Sequence, residues 1–289
     1  MISVKKDYKK RFFTSSLSII LISALFMLAP YPLFQPLFAS IIAGIASLGI
    51  IEFNRLLRDK KIFLNYKFLI FLTFAFCFLV LITAHFTYLR SYLLLSIPIS
   101  FMSLFFITFK NPKGSLDHIA YSILILVYLT RPMGLMVDIV YGITIPEGSA
   151  TGLFWLAYLI IVGKSTDMIA LFTGRAWGHK KLCPKVSPNK TVVGAIGGFI
   201  GASIVSGMIA WGAPLFLGRT FISVGQALIL GIVIGCVAEV GDLLESLFKR
   251  DAKINESSNI LPGLGGVLDV LDSLLLTTPV VWVAMRILS

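Results

Sequence analysis

The feature that most constrains this chain is a series of apolar stretches, each close to the length that a membrane requires. A bilayer core about 30 Å thick is crossed by a helix of roughly 20 apolar residues, because only a helix satisfies the backbone amides without water. Nine stretches meet this requirement, at about 14–30, 33–51, 67–85, 91–109, 116–141, 151–171, 191–214, 221–248 and 268–288. The sequence therefore predicts an all-α polytopic integral membrane protein with about nine transmembrane helices.

The composition agrees with a membrane environment and argues against a nucleic-acid partner. Hydrophobic residues make up 57% of the chain and charged residues only 13%, and the mean hydropathy of +0.92 lies well above soluble norms. A formal net charge of +11 would suggest nucleic acid in a soluble protein, but here the basic residues concentrate in loops beside the apolar stretches. Membrane topology and anionic lipid explain this distribution better.

The basic clusters predict the orientation of the chain. With nine spans and a cytoplasmic amino terminus, the amino-terminal tail and the loops after spans two, four, six and eight hold nearly all the lysines and arginines. This asymmetry obeys the positive-inside rule, and one span more or fewer would scramble it. The opposite loops, such as 30–32 and 145–150, are short. We therefore expect a multi-pass membrane protein whose chemistry faces the cytoplasm.

The distribution of polar residues predicts two parts. Residues 1–145 would form the first five transmembrane helices. Residues 146–289 would form a carboxyl-terminal catalytic region with helices six to nine and two cytoplasmic loops. These loops, at 174–190 and 249–266, stand out for their length and polarity.

Acidic residues in the last two apolar stretches are the strongest chemical signal, since an ionisable group there needs a partner, a water-filled cavity or a metal. Helical offsets of three and four place Glu239, Asp242, Ser246 and Lys249 on one stripe. Asp269 and Asp272 are likewise one turn apart. Carboxylate and hydroxyl oxygens suit a hard cation, and magnesium is the natural occupant. The sequence therefore predicts a magnesium site that contains Asp242, Asp269 and Asp272.

Other interpretations of these acids stay open on the residues alone. The carboxylates could form intramembrane ion pairs with Lys249 or Arg250. They could also provide the cation or proton site of a secondary transporter, but the internal repeat that is typical of that class is missing. Asp167 could likewise be only the partner of Lys164, one helical turn earlier.

The loop at 249–266 contains groups that suit a polyphosphate–magnesium complex. Its basic residues supply positive charge, its serines supply hydroxyl groups, and its glycines let backbone amides approach a ligand closely. The candidates are Arg250, Ser257, Ser258, Gly263, Gly265 and Gly266. The loop at 174–190 is basic and leads into a glycine-lined stretch, which suits an anionic head group.

Two segments carry a resemblance to a known family. Residues 241–273, which read GDLLESLFKRDAKINESSNILPGLGGVLDVLDS, resemble the carboxyl-terminal signature of the phosphatidate cytidylyltransferase family, also called CDP-diglyceride synthases. The matching positions are Asp242, Ser246, Lys249, Arg250, Ser257, Ser258, Pro262, Gly263, Gly265, Gly266, Asp269, Asp272 and Ser273. A second match covers 167–194 and includes Ser187-Pro188-Asn189-Lys190-Thr191, and Glu52-Phe53 is also in keeping with the family. Leu264 and Val270 depart from the signature, which usually has histidine and arginine there.

The resemblance implies an enzyme of phospholipid biosynthesis. Members of this family convert CTP and phosphatidic acid to CDP-diacylglycerol and pyrophosphate by magnesium-dependent nucleotidyl transfer. The resemblance also implies a second cation near the magnesium and a homodimer. The nearest alternative is a CTP-dependent lipid kinase, which would transfer the terminal phosphoryl group instead.

The resemblance also implies roles for individual residues. The catalytic set would be Asp242, Asp269, Asp272, Lys249 and Ser246, in which the three aspartates hold the metal. The substrate or phosphate-binding set would be Lys190, Ser187, Arg250, Ser257, Ser258, Gly263, Gly265, Gly266 and Asp167.

Overall fold

The structure, a computed structural model, describes residues 16, 20–58, 62, 64–86, 115–142, 148–254, 257, 258 and 265–288. Within these residues, seven helices are long and apolar enough to cross a membrane, and they coincide with seven of the predicted stretches. The stretch at 14–30 is described only in part, with helical residues at 16 and 20–28, and that at 91–109 lies outside the described residues. The all-α polytopic class is confirmed, whereas the count of nine and the cytoplasmic amino terminus stay predictions.

The described part of the chain is built mainly from α-helices. In chain order they are α1 (Gln35–Arg58), α2 (Tyr66–His85), α3 (Ser115–Ile125), α4 (Arg131–Tyr141), α5 (Gly148–Trp177), α6 (Val192–Leu217), α7 (Val224–Asp251) and α8 (Val267–Leu288). A π-helical turn, Leu126–Thr130, joins α3 to α4 within one candidate span. Pro132 accounts for this turn, because its ring would clash with the carbonyl four residues earlier in a regular α-helix.

The described chain forms two compact units. The first unit contains the described residues of Met1–Leu153 and Ala252–Val270, and the second unit contains those of Phe154–Asp251 and Leu271–Ser289. Helix α8 thus contributes its first residues to the first unit and the rest to the second. The domain boundary between residues 145 and 146 stays a prediction.

In the first unit, α1, α2 and α4 pack against one another. Helix α1 presents alanines that are fully buried at Ala39, Ala43 and Ala46, and such small residues let membrane helices approach closely. On α4, a Cβ atom at Gly134 would lie 2.3 Å from the ring of Phe76. The ring of Phe76 therefore packs directly against the backbone of Gly134, where any other residue would leave no room for it.

In the second unit, small residues allow α6 to pack closely on α5 and α7. A Cβ atom at Gly198 would lie 3.1 Å from the Cβ of Ala170 on α5, and one at Gly201 would lie 2.5 Å from Ile169. These close approaches are typical of small-residue helix interfaces in membranes. Gly198 and Gly201 belong to the glycine-lined stretch that was predicted to suit an anionic head group. In the structure these two glycines serve helix packing.

A short β-hairpin lies between α5 and α6. Strand β1 (Lys181–Cys183) pairs antiparallel with β2 (Ser187–Thr191), and Lys181 is opposite Thr191. Thr191 then caps α6, because its hydroxyl accepts a hydrogen bond from the Gly194 amide at 3.1 Å. Residues predicted only as a basic loop therefore form a hairpin that is attached directly to the amino end of α6.

Candidate functional site

A cavity of about 540 Å³ lies in the second unit, between α5, the hairpin and the facing parts of α6 and α7. Its lining combines basic and acidic side chains, among them Arg175, Lys181, Lys190, Asp167, Glu239 and Asp242. Ser187 and Asn189 of the hairpin also line it. The lining therefore contains both basic groups that suit a polyanion and carboxylate oxygens that suit a cation.

Three carboxylates form an acidic cluster in this unit. Asp242 and Glu245 lie one turn apart on α7 and Asp272 lies on α8, and one oxygen of each lies within 4.8 Å of the others. Glu245 is 2% exposed and Asp272 is 8% exposed. Carboxylate oxygens brought together in this way are the ligands that hard divalent cations such as Mg²⁺ prefer. The donor set therefore fits the predicted magnesium.

Lys190 lies against the acidic face of α7. Its Nζ is 2.8 Å from Asp242 Oδ2 and 3.0 Å from Glu239 Oε1, and it donates to the Glu239 carbonyl oxygen at 3.4 Å. Burial lowers the pKa of the Lys190 ammonium, but the charges of Asp242 and Glu239 outweigh it and raise this pKa above its ordinary value. Lys190 is therefore protonated at neutral pH and held between two carboxylates.

A second lysine connects α5 to α8. Lys164 Nζ is 3.2 Å from Asp167 Oδ2 and 3.5 Å from Asp272 Oδ1, and it donates to Ser273 Oγ at 2.9 Å. Ser273 in turn donates to Asp167 Oδ2 at 2.9 Å. The other oxygen, Asp167 Oδ1, is buried and accepts no hydrogen bond within the described part of the chain. The predicted pairing of Asp167 with Lys164 is present, and Asp167 still has an acceptor to offer to a ligand.

The remaining predicted residues of α7 stabilise the same region. Lys249 forms an ion pair with Glu245, one turn away, and Ser246 donates to Asp242 Oδ1 at 3.5 Å. Arg250 Nε donates to the carbonyl oxygen of Val186 at 3.1 Å, which ties α7 to the hairpin. Asp242, Glu245 and Asp272 thus each contact a lysine, which offsets part of the cost of burying them.

Several other predicted residues belong to the first unit. Asp269 Oδ2 accepts hydrogen bonds from the Gly266 amide at 2.6 Å and from the Ser257 amide and hydroxyl at 3.2 and 2.8 Å. Asp269 is the third residue of α8 and Gly266 immediately precedes the helix, so the hydrogen bond from the Gly266 amide to the Asp269 carboxylate is half of a capping box. Ser258 donates to Glu52 at 2.5 Å. Gly263 lies outside the described residues, and Gly265 has a positive φ of 91°.

Several residues that the structure places at the cavity or beside the acidic cluster were not among the predicted site residues, and Lys181 and Glu239 of the lining are two of them. Glu245 was not selected although it is three residues from Asp242 on the same helical face, so helical spacing could have found it. Lys164 was considered only as a partner of Asp167, and its contact with Asp272 depends on tertiary packing. Arg175 lies in the predicted basic loop, but no motif position distinguished it from its neighbours.

Comparisons with known proteins point to one family. The sequence profile of the cytidylyltransferase family matches residues 9–288. A protein named phosphatidate cytidylyltransferase from Chlamydia muridarum is 32% identical over 294 residues, which cover 98% of this chain and 94% of the relative. A protein of the same name from Haemophilus influenzae is 44% identical over 44% of each chain. Another, from Bacillus subtilis, is 35% identical over 52% of this chain and 54% of its own length.

Proposed function

Because the chain belongs to the cytidylyltransferase family, we propose that it transfers the cytidylyl group of CTP to phosphatidic acid, which yields CDP-diacylglycerol and pyrophosphate. The relative that carries the name of this activity aligns with 98% of the chain. The observation that carries the proposal is the cavity of the second unit, in which basic side chains and carboxylates line the same space. Such a lining suits a nucleotide triphosphate together with a divalent cation.

The reaction needs charge neutralisation more than a protein nucleophile. An oxygen of the lipid phosphate attacks the α-phosphorus of CTP, and the bond from that phosphorus to the oxygen of the β-phosphate breaks, so that pyrophosphate leaves. Both reactants are anionic and repel each other. When bound, a magnesium ion would neutralise part of this charge and stabilise the leaving group.

The carboxylates of the second unit are the proposed metal ligands. Asp242 and Asp272 keep the role that the signature implies, and Glu245 joins them because its oxygen lies within 4.8 Å of theirs. Asp269 remains a proposed ligand on the strength of the signature. Ser246 would orient Asp242 through the hydrogen bond to Oδ1. A second cation is proposed from the family resemblance only.

The basic residues of the cavity would bind and orient the phosphates. Lys190 is fixed by two carboxylates and stays protonated, while Lys181 and Arg175 line the same cavity. Positive charge held in place before the reaction stabilises the developing charge without reorganisation. Asp167 Oδ1 would accept a hydrogen bond from a donor of the substrate. We also propose that five further residues contact phosphate groups, namely Lys249, Arg250, Ser187, Ser257 and Ser258.

The membrane setting completes the proposal. Nine spans with a cytoplasmic amino terminus would place the site near the inner leaflet of the bacterial inner membrane, where a water-borne nucleotide can meet a lipid that enters from the bilayer. The apolar helices support a multi-pass protein. A homodimer is proposed from the family resemblance.

The test is the identity of the products. Purified protein in detergent is incubated with CTP labelled in the cytosine and separately in the γ-phosphate, together with phosphatidic acid and Mg²⁺. We expect a lipid that carries the cytosine label and free pyrophosphate that carries the γ label, and chelation of divalent cations should abolish both. In a parallel incubation with diacylglycerol in place of phosphatidic acid, a γ-labelled lipid with free CDP would instead identify a lipid kinase. Absence of any labelled lipid would refute the transferase assignment.

A further inference from the structure

We infer that Glu52 of α1 is a positioning residue for the reaction, because it holds the amino end of α8 and the serine segment before it in place. Glu52 is fully buried. Its Oε1 accepts from the Ser258 hydroxyl at 2.5 Å and the Val267 amide at 2.9 Å. Its Oε2 accepts from the Leu268 amide at 2.9 Å and the Ser257 hydroxyl at 3.3 Å. The inference rests on the proposed function for its catalytic consequence.

The physical reason lies in the unsatisfied amides at the start of a helix. The first N–H groups of α8 have no acceptor inside the helix, and they form its positive end, where a carboxylate is favourable. Glu52 accepts from the amides of Val267 and Leu268, and Asp269 accepts from that of Gly266. A buried carboxylate is costly unless donors surround it. Glu52 and the start of α8 therefore stabilise each other.

Gly266 is part of the same arrangement. A Cβ atom at this position would lie 2.0 Å from Ser257 Oγ and 2.6 Å from Glu52 Oε2. Real Cβ atoms do not approach other atoms so closely. One glycine of the predicted phosphate-binding turn thus allows the close approach of Glu52 and Ser257, which is a role that the family signature alone does not assign.

Ser257 connects Glu52 to Asp269. Its hydroxyl lies within hydrogen-bond distance of Glu52 Oε2 and of Asp269 Oδ2, and its amide donates to the same Asp269 oxygen. Any shift of Glu52 would therefore move groups that orient the Asp269 carboxylate. Because Asp269 is a proposed metal ligand, Glu52 acts on this ligand as a positioning residue. Partners that orient metal ligands have measurable effects on metal affinity.

Glu52→Gln is the sharpest test, because glutamine has the same shape but only one acceptor oxygen. In either orientation, the amide group faces the backbone N–H of Val267 or Leu268, and neither of these can turn to accept a hydrogen bond. We expect the Mg²⁺ concentration for half-maximal activity to rise about 10- to 100-fold, with the KM for CTP changed much less. Hydrogen–deuterium exchange of the peptide that contains residues 266–268 should become faster. Asp138→Asn, at another buried carboxylate of the first unit, is the matched control and should change neither measurement.

The outcomes separate the two proposals. If the wild-type protein forms no CDP-lipid, the proposed function fails, while the exchange measurement still tests the contacts of Glu52. If Glu52→Gln matches the wild type in exchange and in Mg²⁺ dependence, the positioning role is overturned. A loss of folded protein with unchanged Mg²⁺ dependence in the folded fraction also overturns it. If no folded Glu52→Gln is obtained, Ser257→Ala removes only the connecting hydroxyl, and an unchanged Mg²⁺ dependence in that variant overturns the inference.

Discussion

The two units hold their carboxylates in different ways. In the second unit, Asp242 and Asp272 contact lysine ammonium groups. In the first unit, Glu52 and Asp269 accept from neutral donors, namely backbone amides and serine hydroxyls. The lysine ammonium groups are held in place by their contacts with the carboxylates, whereas a backbone amide at a helix end cannot move without the helix. The carboxylates of the second unit thus hold cationic side chains, whereas Glu52 and Oδ2 of Asp269 hold the start of α8.

Asp242→Asn gives the largest effect that this comparison predicts. The substitution removes one negative charge from the acidic cluster and from the contact with Lys190. We expect the rate of CDP-lipid formation to fall by at least about 100-fold, because the loss of a metal ligand costs more than the loss of a residue that only orients a ligand. Asp251→Asn, at an exposed acid near the end of the same helix, is the control and should leave the rate unchanged. An Asp242→Asn enzyme with the wild-type rate would remove the acidic cluster from the mechanism.

Lys190→Met tests whether a lysine of the second unit is also a phosphate ligand. The variant leaves Asp242 and Glu239 without this cation and removes a fixed charge from the cavity, so we expect kcat to fall by about 10- to 100-fold, or roughly 1.4–2.7 kcal/mol. Lys190→Arg keeps the charge and should recover part of the loss. Steady-state kinetics with varied CTP would measure both variants. Equal rates for methionine and arginine would mean that the charge of Lys190 is not used.

Gly266→Ala tests the rigidity of the first unit. The new methyl group would overlap Ser257 Oγ and Glu52 Oε2, and overpacking of this kind costs about 1–3 kcal/mol. Thermal unfolding in detergent should therefore begin at a lower temperature than in the wild type. Gly225→Ala is the control, since a Cβ atom there meets nothing within 4 Å. If both variants unfold at the same temperature as the wild type, the space around Gly266 is not restricted.

The smallest effect concerns alkaline pH. The pKa of Lys190 is raised, so its contribution to stability and binding is fully present below its ordinary value near 10.5 and is lost only as pH rises beyond that value. We therefore expect no loss of activity from Lys190 between pH 7 and pH 9, and Lys190→Arg should give the same pH profile over this range. A fall in the wild-type rate that arginine abolishes would contradict the assigned direction of the pKa shift.

Local spacing predicted part of the candidate site. Asp242 and Ser246 were placed on one helical face because offsets of four residues recur there, and the structure has their side chains in contact. The same rule reaches Glu245, which the family match did not select. Asp272 was chosen from its position in an apolar stretch, and it lies with Asp242 and Glu245. The shared ligand set of Asp242, Asp269 and Asp272 stays a prediction.

Other elements had no adequate signal. Strands β1 and β2 are only 3 and 5 residues long, too short for an alternating pattern to appear, and Pro188 argues against a strand. The contacts of Glu52 join residues about 205 positions apart in the chain, so no helical or strand periodicity relates them. The packing role of Gly198 and Gly201 also depends on side chains of another helix.

The sequence by itself determined that this protein is a bundle of membrane helices, because the length of each apolar stretch must match the bilayer and its backbone amides must be satisfied without water. It also determined which helices hold acidic groups. Only the tertiary structure decided which partners these groups have on other helices. The choice between a lysine and a backbone amide depends on which helices pack side by side, and that packing follows from small residues and shape on surfaces far apart in the chain.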